Sequence, residues 1–218
     1  MIKDNFSIFG LPIFKSKIDK NDYDRDNLLS IITENYQKNN YRNKYDLDSN
    51  LHHSYKDESN TLFNEINFDL LKIQYKKIFD NYFNSEFISK INFNFDFRME
   101  GYCVISNNQY MTRHQHLPNT DFSFVHYLQI NQNDTPIRFH NNNDFSKYYK
   151  YIRKDTYEIA DESNLSNSYM FEYVDMFVRE DDMLIFPSVL EHEIPKYNNE
   201  KSKDIRVSIV GNIELKKI

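Results

Sequence analysis

The sequence predicts an α+β protein in which a jelly-roll core, a cupin-like double-stranded β-helix, carries two N-terminal helices packed on one sheet. Apolar residues recur at helical spacing in two early stretches, and at every second position in several later ones. Two helices followed by eight to ten short strands are most simply arranged as two packed sheets with the helices outside one of them. The length of 218 residues suits one domain. We expect a single domain over 1–218, with the N-terminal strand and helices in 1–90 and the jelly-roll core in 91–218.

The chain is predicted to begin with a strand and a helix. Apolar residues lie on both sides of Pro12 in residues 7–18, which indicates a strand. Because proline cannot donate a backbone hydrogen bond, we expect this strand at a sheet edge. Leucine, isoleucine and tyrosine at helical spacing then predict a helix that Asn21 or Asp22 caps and that ends at about Gln37.

A polar segment separates this helix from the second one. Residues 38–58 are rich in Asn, Asp and Tyr and predict a loop, in which we expect His52 and His53 to be solvated. A broad apolar face then predicts a helix from about Asn60 to Phe83.

Short strands follow, and the first is the clearest. Phe and Ile alternate with Asn and Asp over residues 91–97, the period of a half-buried strand. The predicted strands cover 91–97, 102–106, 110–116, 122–130, 136–140, 169–174, 176–179, 183–186, 193–196 and 205–215. The polar segment 141–168 interrupts them and predicts a lid or an insertion.

Composition excludes several classes of function. Only 3 glycines are present and no Gly-rich phosphate loop occurs. The net charge is -6 and no dense Lys/Arg cluster indicates nucleic-acid binding. Cys103 is the single cysteine, which excludes an intramolecular disulfide and a cysteine-based zinc site. Without a long apolar run or a signal-peptide pattern, we expect no membrane span and a cytoplasmic protein.

Three histidines are candidate metal ligands. His114 and His116 share one face of an extended strand, about 7 Å apart at their Cα atoms. They suit one metal ion, or they are two surface histidines at a strand end. His192 follows an apolar strand and a Pro turn, which could deliver it to the open end of a barrel. We expect His126, which shares a strand face with apolar residues, to be a core histidine, while His140 could approach the site.

An arginine marks a candidate anion site. Ile205, Val207 and Ile209 face one way in the last strand, so Arg206 and Ser208 face the other. A buried guanidinium needs an anion, and its fork suits a carboxylate. That anion is either a ligand or an Asp or Glu of this chain.

These residues fall in three motifs that together resemble the 2-oxoglutarate- and Fe(II)-dependent oxygenases. The similar branch is the His-x-His group of phages, marine viruses and bacteria. The matching segments are His114-Gln-His116 with Asp121-Phe-Ser-Phe-Val125, Phe186-Pro-Ser-Val-Leu-Glu-His192, and Arg206-Val-Ser-Ile-Val-Gly-Asn212. Asp181-Asp182 stands where the group usually has a glycine before the distal strand. If the chain is viral, the expected compartment is the host cytoplasm.

The resemblance implies Fe(II) held by His114, His116 and His192. The wider superfamily has His-x-Asp or His-x-Glu instead, so Asp121 is the alternative carboxylate ligand. The choice between three histidines and two histidines with a carboxylate stays open at this point.

The resemblance also implies a co-substrate site. The far carboxylate of 2-oxoglutarate would pair with Arg206 and Ser208, and Tyr110, Tyr127 and Asn212 are weaker candidates for cofactor binding. The implied enzyme is a dioxygenase of hydroxylase type that couples oxidative decarboxylation of 2-oxoglutarate to C–H oxidation.

Two alternatives remain at this stage: a cupin-like three-histidine metalloenzyme that does not use 2-oxoglutarate, and a noncatalytic jelly-roll binding or structural protein. The expected partners of the enzyme are molecular oxygen and a small-molecule or peptide substrate. By position alone, the segments 38–58 and 141–168 are expected to face that substrate.

Overall fold

Two antiparallel sheets pack face to face, and two helices cover the outer face of the larger sheet. The computed structural model describes residues 3–8, 11–38, 52–54, 66–84, 93–105, 110–116, 120–130, 135–142, 171–196 and 205–217. Among the helices of these ranges, none combines the length and the apolar character needed to cross a membrane.

The larger sheet has seven strands in the order β1-β2-β9-β6-β11-β4-β3, and the smaller has four in the order β5-β10-β7-β8. The strands are β1 (Lys3–Ile8), β2 (Leu11–Lys17), β3 (His52–His53), β4 (Phe93–Ile105), β5 (Met111–His114), β6 (Phe122–Gln129), β7 (Ile137–His140), β8 (Tyr173–Met176), β9 (Asp182–Pro187), β10 (His192–Ile194) and β11 (Arg206–Lys217). The helices are α1 (Arg25–Lys38) and α2 (Asp69–Phe83), with a 3₁₀ turn at Lys20–Asp22. All neighbouring strands pair antiparallel.

Both faces of the larger sheet are buried, because successive side chains of a strand point to opposite sides. Phe124 and Leu128 of β6 pack towards the helices, in one core with Tyr75 and Phe79 of α2. Tyr127, between them in sequence, packs towards the smaller sheet. The second core joins the sheets through Ile13, Tyr127, Leu184 and Phe186 of the larger and Ile137, Phe139 and Met176 of the smaller. The predicted α+β class with the helices on one sheet is therefore observed.

The N-terminal strand is a correction. Residues 7–18 do not form one strand, since β1 and β2 form an antiparallel pair with the chain reversing between Ile8 and Leu11. The strand of Pro12 is also not at the edge, because β2 lies between β1 and β9. Its ladder with β9 runs from Phe14 to Lys17, so the missing N–H of Pro12 falls outside that ladder.

Both helices begin later than predicted. The side chain of Asp19 caps a separate 3₁₀ turn by accepting from the Asn21 backbone N–H, and α1 begins only at Arg25. Helix α2 begins at Asp69, after the non-helical residues 66–68. The predicted start near Asn60 lies outside the described residues.

His52 is buried, so the prediction of a solvated loop is wrong there. The short strand β3 pairs with β4, and only 1% of the His52 surface is exposed. Its ring stacks on Tyr102, with Nε2 3.4 Å from the Tyr102 hydroxyl. His53 is half-buried. The polar residues around the pair hid a strand of two residues, which is too short to show periodicity.

A β-bulge explains why one long strand was predicted as two. Strand β4 spans the predicted strands 91–97 and 102–106, and its pairing with β11 skips Glu100. Phe95 and Phe97 before the bulge and Tyr102 after it face the same helical core. Because of the extra residue, the side chains of β4 that face the helices stand at odd positions before the bulge and at even positions after it. The later predicted strands 169–174 and 176–179 become the single strand β8, and most of 141–168 lies outside the described residues.

His126 is the predicted core histidine, with none of its surface exposed. The Tyr75 hydroxyl forms a hydrogen bond with Nδ1 at 2.9 Å, and Nε2 lies 3.5 Å from the Tyr23 hydroxyl, which in turn donates to Asp181 at 2.7 Å. Asp181 has a φ of 64°, the left-handed conformation for which a glycine is usual. Its carboxylate also pairs with Arg25, and these contacts hold the strained residue in place.

The burial of His126 makes folding stability depend on pH. Burial, followed by the charge of Arg25, lowers the pKa of His126 to about 3. Below the ordinary histidine pKa the unfolded chain takes up a proton that the folded chain does not, so stability falls as pH falls. When the pH falls from 7 to 5, this histidine should lower the free energy of unfolding by about 2 kcal/mol. Urea unfolding of wild type and His126→Gln at both pH values measures the difference. Equal losses in the two proteins would contradict it.

Candidate metal centre

Three histidines converge where the ends of β5 and β10 meet. His114 ends β5 and His192 begins β10, and the two are paired at their Cα atoms across the antiparallel ladder. His116 follows β5, and its backbone N–H donates to the Ser188 carbonyl at 3.0 Å. The ring centroids are 4.3 Å apart for His114 and His192 and 5.2 Å for each of the other pairs. One ring nitrogen from each histidine lies within 4.8 Å of the other two.

Hydrogen bonds orient all three rings in the same way. The Nδ1–H of His114 donates to the Thr112 carbonyl at 2.8 Å, and that of His192 to the Leu190 carbonyl at 2.9 Å. The Nδ1–H of His116 donates to the Asn212 side-chain oxygen at 3.2 Å. An imidazole that donates through Nδ1 keeps a lone pair on Nε2, the arrangement that metal-binding histidines use.

The three rings are also neutral. Burial lowers the pKa of His114, and burial with the neighbouring His114 lowers that of His116 to about 4. Burial, followed by the other two histidines, holds the pKa of His192 well below its ordinary value. Neutral imidazoles do not have to lose a proton before binding a metal, so this group of nitrogens fits a divalent transition metal.

Asp121 lies elsewhere. Its side chain is exposed and accepts a hydrogen bond from the Leu215 backbone N–H at 2.8 Å. Within the part of the chain that the structure describes, the group of candidate ligands contains the three histidines and no carboxylate. His140 is also outside this group, with its Nε2 3.1 Å from Glu193.

Arg206 lies on the face of β11 that points towards the smaller sheet. Only 3% of its surface is exposed, and Nη1 donates to the Thr135 carbonyl at 2.7 Å. Its Nε and Nη2 are buried and have no hydrogen-bond partner among the described residues, nor does any described carboxylate pair with it. A buried guanidinium with two unused donors is costly unless an anion meets it. The site therefore fits the carboxylate of a ligand.

Two neighbours of Arg206 add polar groups to this site. The Tyr127 ring lies 4.8 Å from the guanidinium carbon, and its buried hydroxyl has no hydrogen-bond partner in the described structure. Ser208, two residues along the same strand face, is also buried. Tyr110 is half-buried just before β5, with Lys196 5.9 Å from its ring.

Sequence reasoning named Asn212 only as a weaker candidate for cofactor binding and did not predict its contact with His116, and it missed Thr135. Asn212 shares the strand face of Arg206 and reaches His116, and its amide also contacts Ser123 and Glu100. Asn212 lies six residues after Arg206, which puts it on the same face of β11, but its contacts depend on strands far away in sequence. Thr135, which binds Arg206, carries no signal at all because it contributes only a carbonyl.

The family model described as "Putative 2OG-Fe(II) oxygenase" matches residues 102–212, a range that contains all three histidines, Arg206 and Asn212. The chain belongs to this family. It is an oxidoreductase family whose cofactors are Fe(II) and 2-oxoglutarate, and the three-histidine group of this chain could hold a metal ion. None of the curated proteins matches the chain.

Solved structures with a similar fold include prolyl hydroxylases. A prolyl hydroxylase from Trichoplax adhaerens, in complex with a peptide fragment of hypoxia inducible factor, has a TM-score of 0.54 at 12% identity over 94% of this chain and 83% of its own. HygX from Streptomyces hygroscopicus, with nickel and 2-oxoglutarate bound, has a TM-score of 0.51 at 9% identity, over 93% of this chain and 82% of its own. A prolyl-4-hydroxylase from Pseudomonas putida has a TM-score of 0.50 at 10% identity, over 93% of this chain and 91% of its own. At these identities the likeness shows the fold, a jelly roll of mostly antiparallel sheets.

Substitutions separate the two possible ligand sets. Removing a residue that only orients a metal ligand typically weakens metal binding 10–100-fold. Removing a ligand itself should have a larger effect, so we expect His116→Ala to weaken Co(II) binding on the order of 100-fold or more. Asp121→Asn should leave it unchanged, because Asp121 binds the Leu215 backbone. Titration calorimetry on the metal-free protein measures both. Lost binding in Asp121→Asn with binding kept in His116→Ala would favour the carboxylate set instead.

Proposed function

We propose that this chain is an Fe(II)- and 2-oxoglutarate-dependent dioxygenase of hydroxylase type. The observation that carries the proposal is the combination, between the same two sheets, of three neutral histidines and a buried arginine with two unused donors. His114, His116 and His192 are the proposed iron ligands, and Asp121 is left out because its carboxylate binds the Leu215 backbone. Three protein ligands leave positions open for a chelating co-substrate and for dioxygen.

Bound iron would supply the hard chemistry, the coupling of 2-oxoglutarate decarboxylation to oxidation of a substrate C–H bond. The protein supplies orientation and a dry environment. Arg206 would bind the far carboxylate through Nε and Nη2, with Ser208 and the Tyr127 hydroxyl adding hydrogen bonds. Because Tyr127, Leu184 and Phe186 bury the space between the sheets, these bonds would form away from water and so be stronger.

The finer architecture belongs to the same proposal. The two sheets, of seven and four antiparallel strands, suit a double-stranded β-helix with the ligands at one open end. The cores on both faces of the larger sheet share strands β2, β6 and β9, which supports a single domain over 1–218.

The substrate is proposed as a small molecule or a peptide. Among proteins with the same fold, the Trichoplax adhaerens enzyme was solved with a peptide fragment and HygX with hygromycin B. Both classes are therefore compatible with the fold of this chain.

One rival function has an observation in its favour. The absence of a carboxylate from the histidine group in the described residues suits a cupin-like three-histidine enzyme that does not use 2-oxoglutarate. That alternative leaves the unused donors of Arg206 without a purpose. A noncatalytic jelly roll explains neither feature.

Arg206→Ala tests the co-substrate site. Hydrogen bonds to a charged group contribute about 1.5–3 kcal/mol each, so we expect 2-oxoglutarate to bind roughly 100-fold more weakly to the iron-loaded variant. Anaerobic calorimetry measures binding, and succinate release measures turnover. Arg138→Ala is the matched control, because Arg138 pairs with Asp175 on the opposite side of the smaller sheet. Equal binding by wild type and Arg206→Ala, or no binding by either, would refute the proposed function.

2-Oxoglutarate should also stabilise the protein. A ligand at 100 times its dissociation constant adds about 2.7 kcal/mol to the stability of the folded state. The melting temperature of the metal-loaded wild type should therefore rise with 2-oxoglutarate, and that of Arg206→Ala should rise much less. Thermal unfolding with and without the compound checks this without any turnover. Equal shifts in the two proteins would remove Arg206 from the site.

A further inference from the structure

The three histidines are oriented by two different kinds of partner. His114 and His192 each donate to a backbone carbonyl two residues earlier in the chain, at Thr112 and Leu190. His116 donates instead to the side chain of Asn212, 96 residues away. Substitution cannot remove a backbone carbonyl, but it can remove an amide side chain. The orientation of His116 is therefore the one that depends on a particular residue type.

The contacts of Asn212 determine which way its amide points. The amide NH₂ donates to Glu100 Oε1 at 3.2 Å, since a carboxylate only accepts. The amide oxygen must then face the other side, where it lies 3.2 Å from His116 Nδ1 and 3.1 Å from Ser123 Oγ. Because an oxygen cannot donate, His116 carries its proton on Nδ1. Its Nε2 lone pair is left for the metal.

Two further features support this orientation. Ser123 donates to Asn212, so the buried Ser188 hydroxyl, 3.0 Å away, donates to Ser123. Ser188 also accepts the His116 backbone N–H through its carbonyl. On the other side, Glu100 is the residue that the β4–β11 pairing skips. Such a bulge re-aims a side chain, and here it turns the carboxylate towards Asn212.

We propose that Asn212 is a positioning residue for His116 and that Glu100 positions Asn212. The pair forms a chain from a carboxylate through an amide to the imidazole. In many metal sites a carboxylate contacts the histidine directly. The inference rests on the proposed metal centre, and it gives Asn212 a role in orienting a ligand instead of binding the co-substrate.

The test measures the His116 proton and the metal affinity, neither of which requires turnover. Long-range ¹H–¹⁵N correlation spectra of the metal-free protein report which ring nitrogen carries the proton. Wild type should show His116 protonated at Nδ1. Asn212→Ala should show a mixture of the two forms, and its affinity for Co(II) by calorimetry should fall 10–100-fold. Asn141→Ala, which removes another largely buried amide that donates to the Phe171 carbonyl, is the matched control and should behave as wild type.

A second pair of variants keeps the test valid if Asn212→Ala fails to fold. Glu100 is partly exposed, so its substitution should leave the fold intact. Glu100→Ala frees the amide of Asn212 to turn and should give the mixed proton positions. Glu100→Gln still offers an oxygen to the Asn212 NH₂ and should restore the wild-type spectrum.

Two results would overturn the inference. One is an Asn212→Ala variant in which His116 is still protonated only at Nδ1 and the affinity for Co(II) is within about twofold of wild type. The loss of a residue that orients a metal ligand typically lowers the metal affinity tenfold or more. The other is identical spectra for Glu100→Ala and Glu100→Gln. Wild type that binds no divalent metal would instead contradict the proposed function, and the spectra of the metal-free protein would still decide whether Asn212 orients His116.

Discussion

The alternation of side chains along β11 is the constraint on which both the fold and the candidate site depend. Val207 and Ile209 pack under the helices, and Arg206 and Ser208 point into the space between the sheets. Residues 206–209 are all buried, so neither face of the strand reaches solvent over this stretch. A slip of one residue would exchange the faces, placing the guanidinium in the apolar core and two aliphatic side chains in the site. The apolar core thus fixes the position of the arginine.

The positions of the histidines also depend on the register in which neighbouring strands pair. His114 and His192 meet because β5 and β10 pair in one register, and the exposed Arg113 pairs with Glu191 beside them. Asn142, which follows β7, also accepts from Arg113. One guanidinium thereby links three adjacent strands of the smaller sheet. The sheet holds the backbone of the histidines, and the hydrogen bonds at Nδ1 then set the direction of each ring.

Sequence reasoning succeeded where a feature is periodic or local and failed where it depends on distant pairing. The alternation around Arg206 predicted its inward direction, and the His-x-His spacing placed two histidines on one side. The hairpin of β1 and β2 was missed because an apolar run with a turn inside it has the composition of a single strand. The bulge at Glu100 was missed because the extra residue interrupts the period-2 pattern of apolar residues, and such an interruption resembles a loop between two strands. His52 was misplaced because its burial depends on residues distant in sequence, including Tyr36 of α1 and Tyr102 of β4. Asn212 was predicted only as a weaker candidate for cofactor binding, because its contacts are made with residues 89 and 96 positions away.

The directed hydrogen bonds around Asn212 also limit how the ligand set of this chain could be exchanged. An aspartate at position 116, as in the wider superfamily, would need a donor where His116 now meets an amide oxygen. Turning the amide to offer its NH₂ would set its oxygen against the carboxylate of Glu100. A single exchange of His116 for aspartate therefore leaves one pair of acceptors facing each other, whichever way the amide points. Conversion to a two-histidine, one-carboxylate site therefore requires position 100 or position 212 to change together with position 116.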